Sequence, residues 1–283
     1  MLDGESPDTT VDTSGTESEP FDTAMDGAGL IGELARAANP EKSGPMAAYM
    51  RDQFPFLGVP ASIRQPIQRP YFAVARKDPR ADWGFVAQCW ALPQREFQYL
   101  ACDYLYAVRR RLGDEDLPRI KTLASSKQWW DTIDSLTKTA GAIVAAQPRA
   151  TNHSRGGAPV ALASKKTTAG SAETVRGGEY PTSRGESPAL AHVLKWSCDR
   201  DFWIRRLAIL HQLGRKAATD TASLEAILTA NLRSDEFFIN KAIGWALRDY
   251  SKTDPDWVSQ FIARYRNQMN ALSIREGSKY IPV

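Results

Sequence analysis

The sequence predicts an all-α protein, either an α-solenoid or a bundle of amphipathic helices, and three observations predict it. Apolar residues recur at helical spacing. Phe97, Leu100, Ala101, Tyr104, Leu105 and Val108 fall at i, i+3, i+4, i+7, i+8 and i+11, and Ile239, Ala242, Ile243, Ala246, Leu247 and Tyr250 repeat that stripe. Alternating strand patterns and hairpin dipeptides between apolar runs are nearly absent. Short breaks separate the periodic segments, as successive helix pairs require. No strict sequence period accompanies them, so any repeat is one of architecture.

Taken in order, residues 1–28 are rich in Thr, Ser, Gly, Asp and Glu and nearly free of large apolar side chains, the composition of a disordered acidic tail. From residue 29 the helical pattern runs to the C-terminus with one interruption. Residues 147–188 are polar, carry Gly156-Gly157, Lys165-Lys166 and Gly177-Gly178, and show little periodicity; a mobile surface insertion is expected there. Beyond it, Gly214 reads as a helix C-cap, and Ser273 with Glu276 as the capping-box start of a late helix.

Composition narrows the function classes. The 283 residues hold 36 Lys and Arg against 33 Asp and Glu, but eight of the acids lie in residues 1–28, which have no base. The remainder sets 36 bases against 25 acids, a net +11, which favours a polyanionic partner. No apolar run approaches the ~20 residues that span a bilayer. No basic n-region precedes an apolar h-region, and Cys89, Cys102 and Cys198 lack CxxC spacing, so a cytoplasmic protein with reduced thiols is expected. His153, His192 and His211 are scattered, and neither a metal nor a cofactor is expected.

Two helices carry aromatic residues off their core faces. In Lys127-Gln-Trp-Trp-Asp-Thr-Ile-Asp134, the core stripe is Trp129, Ile133, Leu136, Ala140 and Ile143. Trp130 and Asp134 are i, i+4 neighbours about 100–140° around the helix from that stripe. Lys127 and Lys138, a turn to either side, are expected toward the same face. A large aromatic beside a carboxylate and two cations suits a binding face; the alternative is a tryptophan packed on the next helix and a surface acid. In the second helix Trp245 lies away from the core stripe beside Phe238, Lys241 and Arg248. Arg205 and Arg206 sit mid-helix in Asp201–Leu213, which is apolar nearly all round, so at least one is expected to point at an anion.

These segments, with Tyr49-Met-Arg-Asp-Gln-Phe-Pro-Phe-Leu-Gly58, Arg95-Glu-Phe-Gln-Tyr-Leu-Ala-Cys-Asp-Tyr104, Trp203-Ile-Arg-Arg-Leu-Ala-Ile-Leu210 and Phe237-Phe-Ile-Asn-Lys-Ala-Ile-Gly-Trp-Ala-Leu-Arg-Asp-Tyr-Ser251, are similar to those of the bacterial DNA alkylation repair glycosylases of the AlkD-like family. The resemblance covers most of residues 45–283. It implies HEAT-like repeats wound into an α-α superhelix with a concave basic face for DNA. It implies that Asp134 is the catalytic carboxylate, that Trp130 and Trp245 flank the damaged nucleotide, that Arg206 contacts DNA beside the lesion, and that Tyr49 belongs to the site. Lys127, Lys241 and Arg248 are the neighbouring candidate DNA contacts. The expected partner is duplex DNA carrying alkylated purines, bound by a monomer without base flipping into a pocket. No lysine is placed as a Schiff-base nucleophile, so a monofunctional glycosylase is expected. A non-catalytic DNA-recognition protein and a protein–protein scaffold are the competing functions. The acidic tail and the insertion depart from the family pattern.

Overall fold

The computed structural model describes residues 24–146 and 187–281. Residues 1–23 and 147–186, which contain most of the expected tail and insertion, lie outside the described residues. Among the described residues the chain is all α, with thirteen α-helices and no strand. They are α1 (Gly27–Arg36), α2 (Pro40–Tyr49), α3 (Ala61–Ala75), α4 (Trp83–Ala91), α5 (Arg95–Ala107), α6 (Leu117–Ala124) and α7 (Trp130–Ala146), then α8 (Pro188–Trp196), α9 (Phe202–Leu210), α10 (Thr221–Thr229), α11 (Phe237–Tyr250), α12 (Pro255–Tyr265) and α13 (Ala271–Gly277).

The breaks that end one helix supply the residue that begins the next. Asp82, Asp201, Asp220, Glu236, Asp254 and Asn270 each accept from a backbone N–H of the first turn of α4, α9, α10, α11, α12 and α13. Each satisfies a donor that has no partner within its helix. Asp26 does the same for α1 through Gly29, so α1 begins two residues inside the stretch expected as tail. The late helix is capped by Asn270, not by Ser273. Ser273 is fully buried one turn further on, and its hydroxyl donates to the Asn240 carbonyl. The serine–glutamate spacing mimicked a capping box, but here it serves packing of α13 on α11.

The helices form two rows. The odd-numbered helices pack each on the next, α1 on α3, α3 on α5, α5 on α7, α7 on α9, α9 on α11 and α11 on α13. The even-numbered helices from α4 onward lie along them, α4 on α5, α6 on α7, α8 and α10 on α9, and α12 on α11. This is the helical-repeat fold. Glycines set the close approaches within the row. A Cβ at Gly141 of α7 would stand 2.1 Å from the His211 carbonyl oxygen after α9, and one at Gly244 of α11 would stand 2.5 Å from Glu276 Cβ of α13. The core is continuous along both rows, from Leu30 to Met269, and includes every residue of the Phe97–Val108 stripe.

Candidate functional site

Three consecutive odd helices, α7, α9 and α11, carry most of the candidate residues. α7 begins at Trp130, so Trp130 stands at its first position and Asp134 one turn later, while Ile133, Leu136, Ala140 and Ile143 are buried as their stripe requires. Trp129 precedes the helix. It packs against Trp203 of α9 and Phe238 of α11, with ring centroids at 5.9 and 5.5 Å.

Asp134 meets Arg206 of α9 in a two-pronged ion pair. Arg206 Nε donates to Asp134 Oδ1 and Nη2 to Oδ2, each at 2.9 Å, while Nη1 donates to the Phe238 carbonyl on α11 at 2.8 Å. One guanidinium therefore ties α7, α9 and α11 together, and its planar fork fixes the direction of the carboxylate. The arginine side chain is 4% exposed and the aspartate 18%, so the carboxylate keeps an opening to solvent that the arginine lacks. Burial raises the Asp134 carboxyl above the usual carboxylate range, against the opposing hydrogen bonds and charge of Arg206. The expectation that one mid-helix arginine points at an anion therefore holds, and the anion is the candidate carboxylate itself. Arg206 is directed inward at Asp134, and its expected contact with DNA is not part of this arrangement. Arg205 instead donates to the Asp199 and Arg200 carbonyls.

Tyr49 closes on Trp130 from the far end of the sequence. It is 73% exposed and meets the indole edge-on at a centroid distance of 6.2 Å. Its segment is held by the first two residues of α5. The buried Glu96 carboxylate accepts from the backbone N–H of Leu57, Gly58 and Val59, at 2.9 to 3.0 Å. Arg95, fully buried, stacks on Phe54 at 3.8 Å and pairs with Asp131 of α7 through Nε and Nη2, at 3.0 and 2.5 Å. Tyr99 donates its hydroxyl to the same Asp131 at 2.6 Å. The latch from the Tyr49 segment through α5 to α7 was missed in the sequence. Its signal was a pair of opposite charges, Arg95 and Asp131, each beside an apolar stripe.

Lys127 requires correction. It is not on the helix a turn before Trp130; it lies in the preceding loop with φ 48°, a left-handed conformation that ends the α6–α7 connection before α7 starts. Its ammonium donates to the Ala91 and Leu92 carbonyls at 3.3 and 2.5 Å, and burial together with Arg95 lowers its pKa. It caps the C-terminal end of α4.

Trp245 is half-buried on α11, with Lys241 four residues before it and Arg248 three after. Both cations reach Glu276 of α13, Lys241 at 2.8 Å and Arg248 at 2.7 Å. Glu276, noted in the sequence only as part of a capping box, thus belongs beside the Trp245 cluster. At the start of α11, Phe237 is 57% exposed and meets Phe238 edge-on at 5.3 Å. Among the described residues no group of His, Cys, Asp and Glu is arranged to hold a metal ion, and no helix is long and apolar enough to cross a membrane.

A carboxylate with a fixed direction and a solvent opening, bordered by aromatic rings, is suited to stabilising a cationic group presented from outside. The chain matches the family described as DNA alkylation repair enzyme over residues 30–155 and 178–281. It is similar to a solved structure described as a predicted DNA alkylation repair enzyme from Enterococcus faecalis, at 28% identity and a TM-score of 0.67, covering 86% of this chain and 96% of that one. None of the curated proteins matches it significantly. The family match takes in the segments of α2, α5, α7, α9 and α11 that build the site, and the chain belongs to the DNA alkylation repair enzyme family.

Proposed function

We propose that the protein is a monofunctional DNA glycosylase that releases cationic N3- and N7-alkylated purines from duplex DNA. The observation that carries this is Asp134, held in one direction by Arg206, open to solvent and one helical turn from Trp130. An alkylated purine already bears a positive charge and leaves without protonation. The C1′–N bond breaks with its electron pair going to the base, which departs neutral, and positive charge passes to the deoxyribose. Asp134 stabilises that charge and orients a water, whose oxygen bonds to C1′ as its second proton passes to the carboxylate. Trp130 and Trp245 hold the cationic nucleotide by contacts of roughly 0.5–2 kcal/mol each, and Tyr49 supports the Trp130 ring. Arg206 acts as a positioning residue for Asp134.

The helix pairs fit a HEAT-like superhelix, and the nucleotide is captured on the odd row without being flipped into a deep pocket, unlike the common glycosylase strategy. The protein acts in the cytoplasm as a monomer and requires no cofactor. A second function, recognition of modified DNA without catalysis, draws on the same ion pair, since an arginine-neutralised aspartate also serves simply to join two helices.

Incubation with a duplex oligonucleotide containing 7-methylguanine tests the proposal. Free base appears by mass spectrometry and the strand carries an intact abasic site, which breaks only on alkali treatment. Specific binding without base release would favour recognition alone. Bulkier cationic N7 adducts are released as well, because no pocket measures the base; release restricted to methylated purines at equal binding would contradict capture without flipping.

A further inference from the structure

Lys241, Trp245 and Arg248 share one side of α11, and the two cations are held by one acid. Lys241 Nζ donates to Glu276 Oε1 at 2.8 Å and Arg248 Nη1 to Oε2 at 2.7 Å. Each carboxylate oxygen thus serves a separate cation, as two oxygens of a phosphate do when they bridge two bases. The acid is fixed by its backbone. Gly244 lets α13 approach so closely that a Cβ there would meet Glu276 Cβ at 2.5 Å, and the buried Ser273 hydroxyl bonds the Asn240 carbonyl at 2.9 Å. The side chains of Lys241 and Arg248 are 39% and 26% exposed, and that of Glu276 is 17%. The acid is thus the most sheltered of the three, while both cations remain accessible from outside.

Resting on the DNA glycosylase function, we propose that Glu276 is an intramolecular stand-in for a DNA phosphate. In the free protein it keeps Lys241 and Arg248 together on the flank of Trp245, and a backbone phosphate takes over these cations when duplex binds. The arrangement presets the spacing of a phosphate clamp beside the aromatic ring. It also opposes binding, because the displaced carboxylate is left among phosphates. Glu276 thereby limits affinity for undamaged DNA. It touches neither the nucleotide nor the reacting atoms.

The test is binding of a fluorescein-labelled unmodified duplex by the full chain over a series of salt concentrations, with wild type, Glu276→Gln, Lys241→Gln and the double variant. Glutamine keeps the size of the side chain and removes its charge. Glu276→Gln is expected to bind several-fold more tightly at low salt, and the slope of log affinity on log salt to steepen by about 0.9, the value of one phosphate contact. Lys241→Gln is expected to weaken binding more in the Glu276→Gln background than in wild type, because the acid no longer competes for the lysine. An unchanged slope in Glu276→Gln, or equal effects of Lys241→Gln in both backgrounds, would overturn the proposal while leaving the DNA function standing. Failure of wild type to bind duplex at any salt would remove both.

Discussion

Asp134 is disfavoured as an anion by its burial, and Arg206 only partly offsets that cost. Charge stabilisation needs the ionised form. Activity therefore falls as pH drops through a pKa above the ordinary carboxylate value of about 3.9, and the acid limb of the single-turnover pH profile lies above that value. Replacing Arg206 by Met removes the group that lowers the pKa, so the acid limb moves to still higher pH; a profile identical to wild type would show that Arg206 does not govern Asp134. The i, i+4 placement of Trp130 and Asp134 off the core stripe was legible in the sequence, because helical geometry alone sets it. The inward turn of Arg206 was legible only as a need for some anion, since its partner lies 72 residues away. The position of Lys127 was not legible, because a left-handed residue other than glycine leaves no mark in a hydrophobic pattern.

The helices owe their positions to buried charge as much as to apolar stripes. Arg95 spans α5 and α7 by bonding Asp131, Thr132 and the Lys127 carbonyl. Arg95→Ala leaves Asp131 buried and without its guanidinium partner, and is expected to cost about 3–5 kcal/mol. Chemical denaturation measures it, and a loss below about 1 kcal/mol would contradict a latch role. Gly141→Ala drives a methyl group into the His211 carbonyl where α7 meets α9, for an expected loss of roughly 1–3 kcal/mol. The sequence showed that these helices exist and which faces they bury. It did not show the latch, because nothing in either helix's pattern pairs Arg95 with Asp131 until α5 and α7 are placed side by side.

Across the whole molecule, direct contacts draw together residues of α2, α7, α9 and α11 that are separated by up to about 200 positions in sequence. That convergence was readable only through the resemblance of several ordered segments, because no periodicity indicates which side of a helical stack faces a ligand. Charge is the other property of this scale. Seven of the acids lie in residues 1–23, ahead of the Asp26 cap. Removing that segment raises the net charge from +3 to +10. Binding of unmodified duplex at low salt is expected to tighten on the deletion and to converge with wild type at high salt. Equal affinity at low salt would show that those acids do not act on DNA binding.

The proposed activity requires that Asp134 perform the chemistry. Single-turnover release of 7-methylguanine from duplex DNA, compared between wild type and Asp134→Asn, tests it most directly. Asp134→Asn is expected to slow release by roughly 10²–10³-fold, with duplex binding retained. Release by the variant at the wild-type rate would contradict it and reduce the Asp134–Arg206 pair to a joint between two helices.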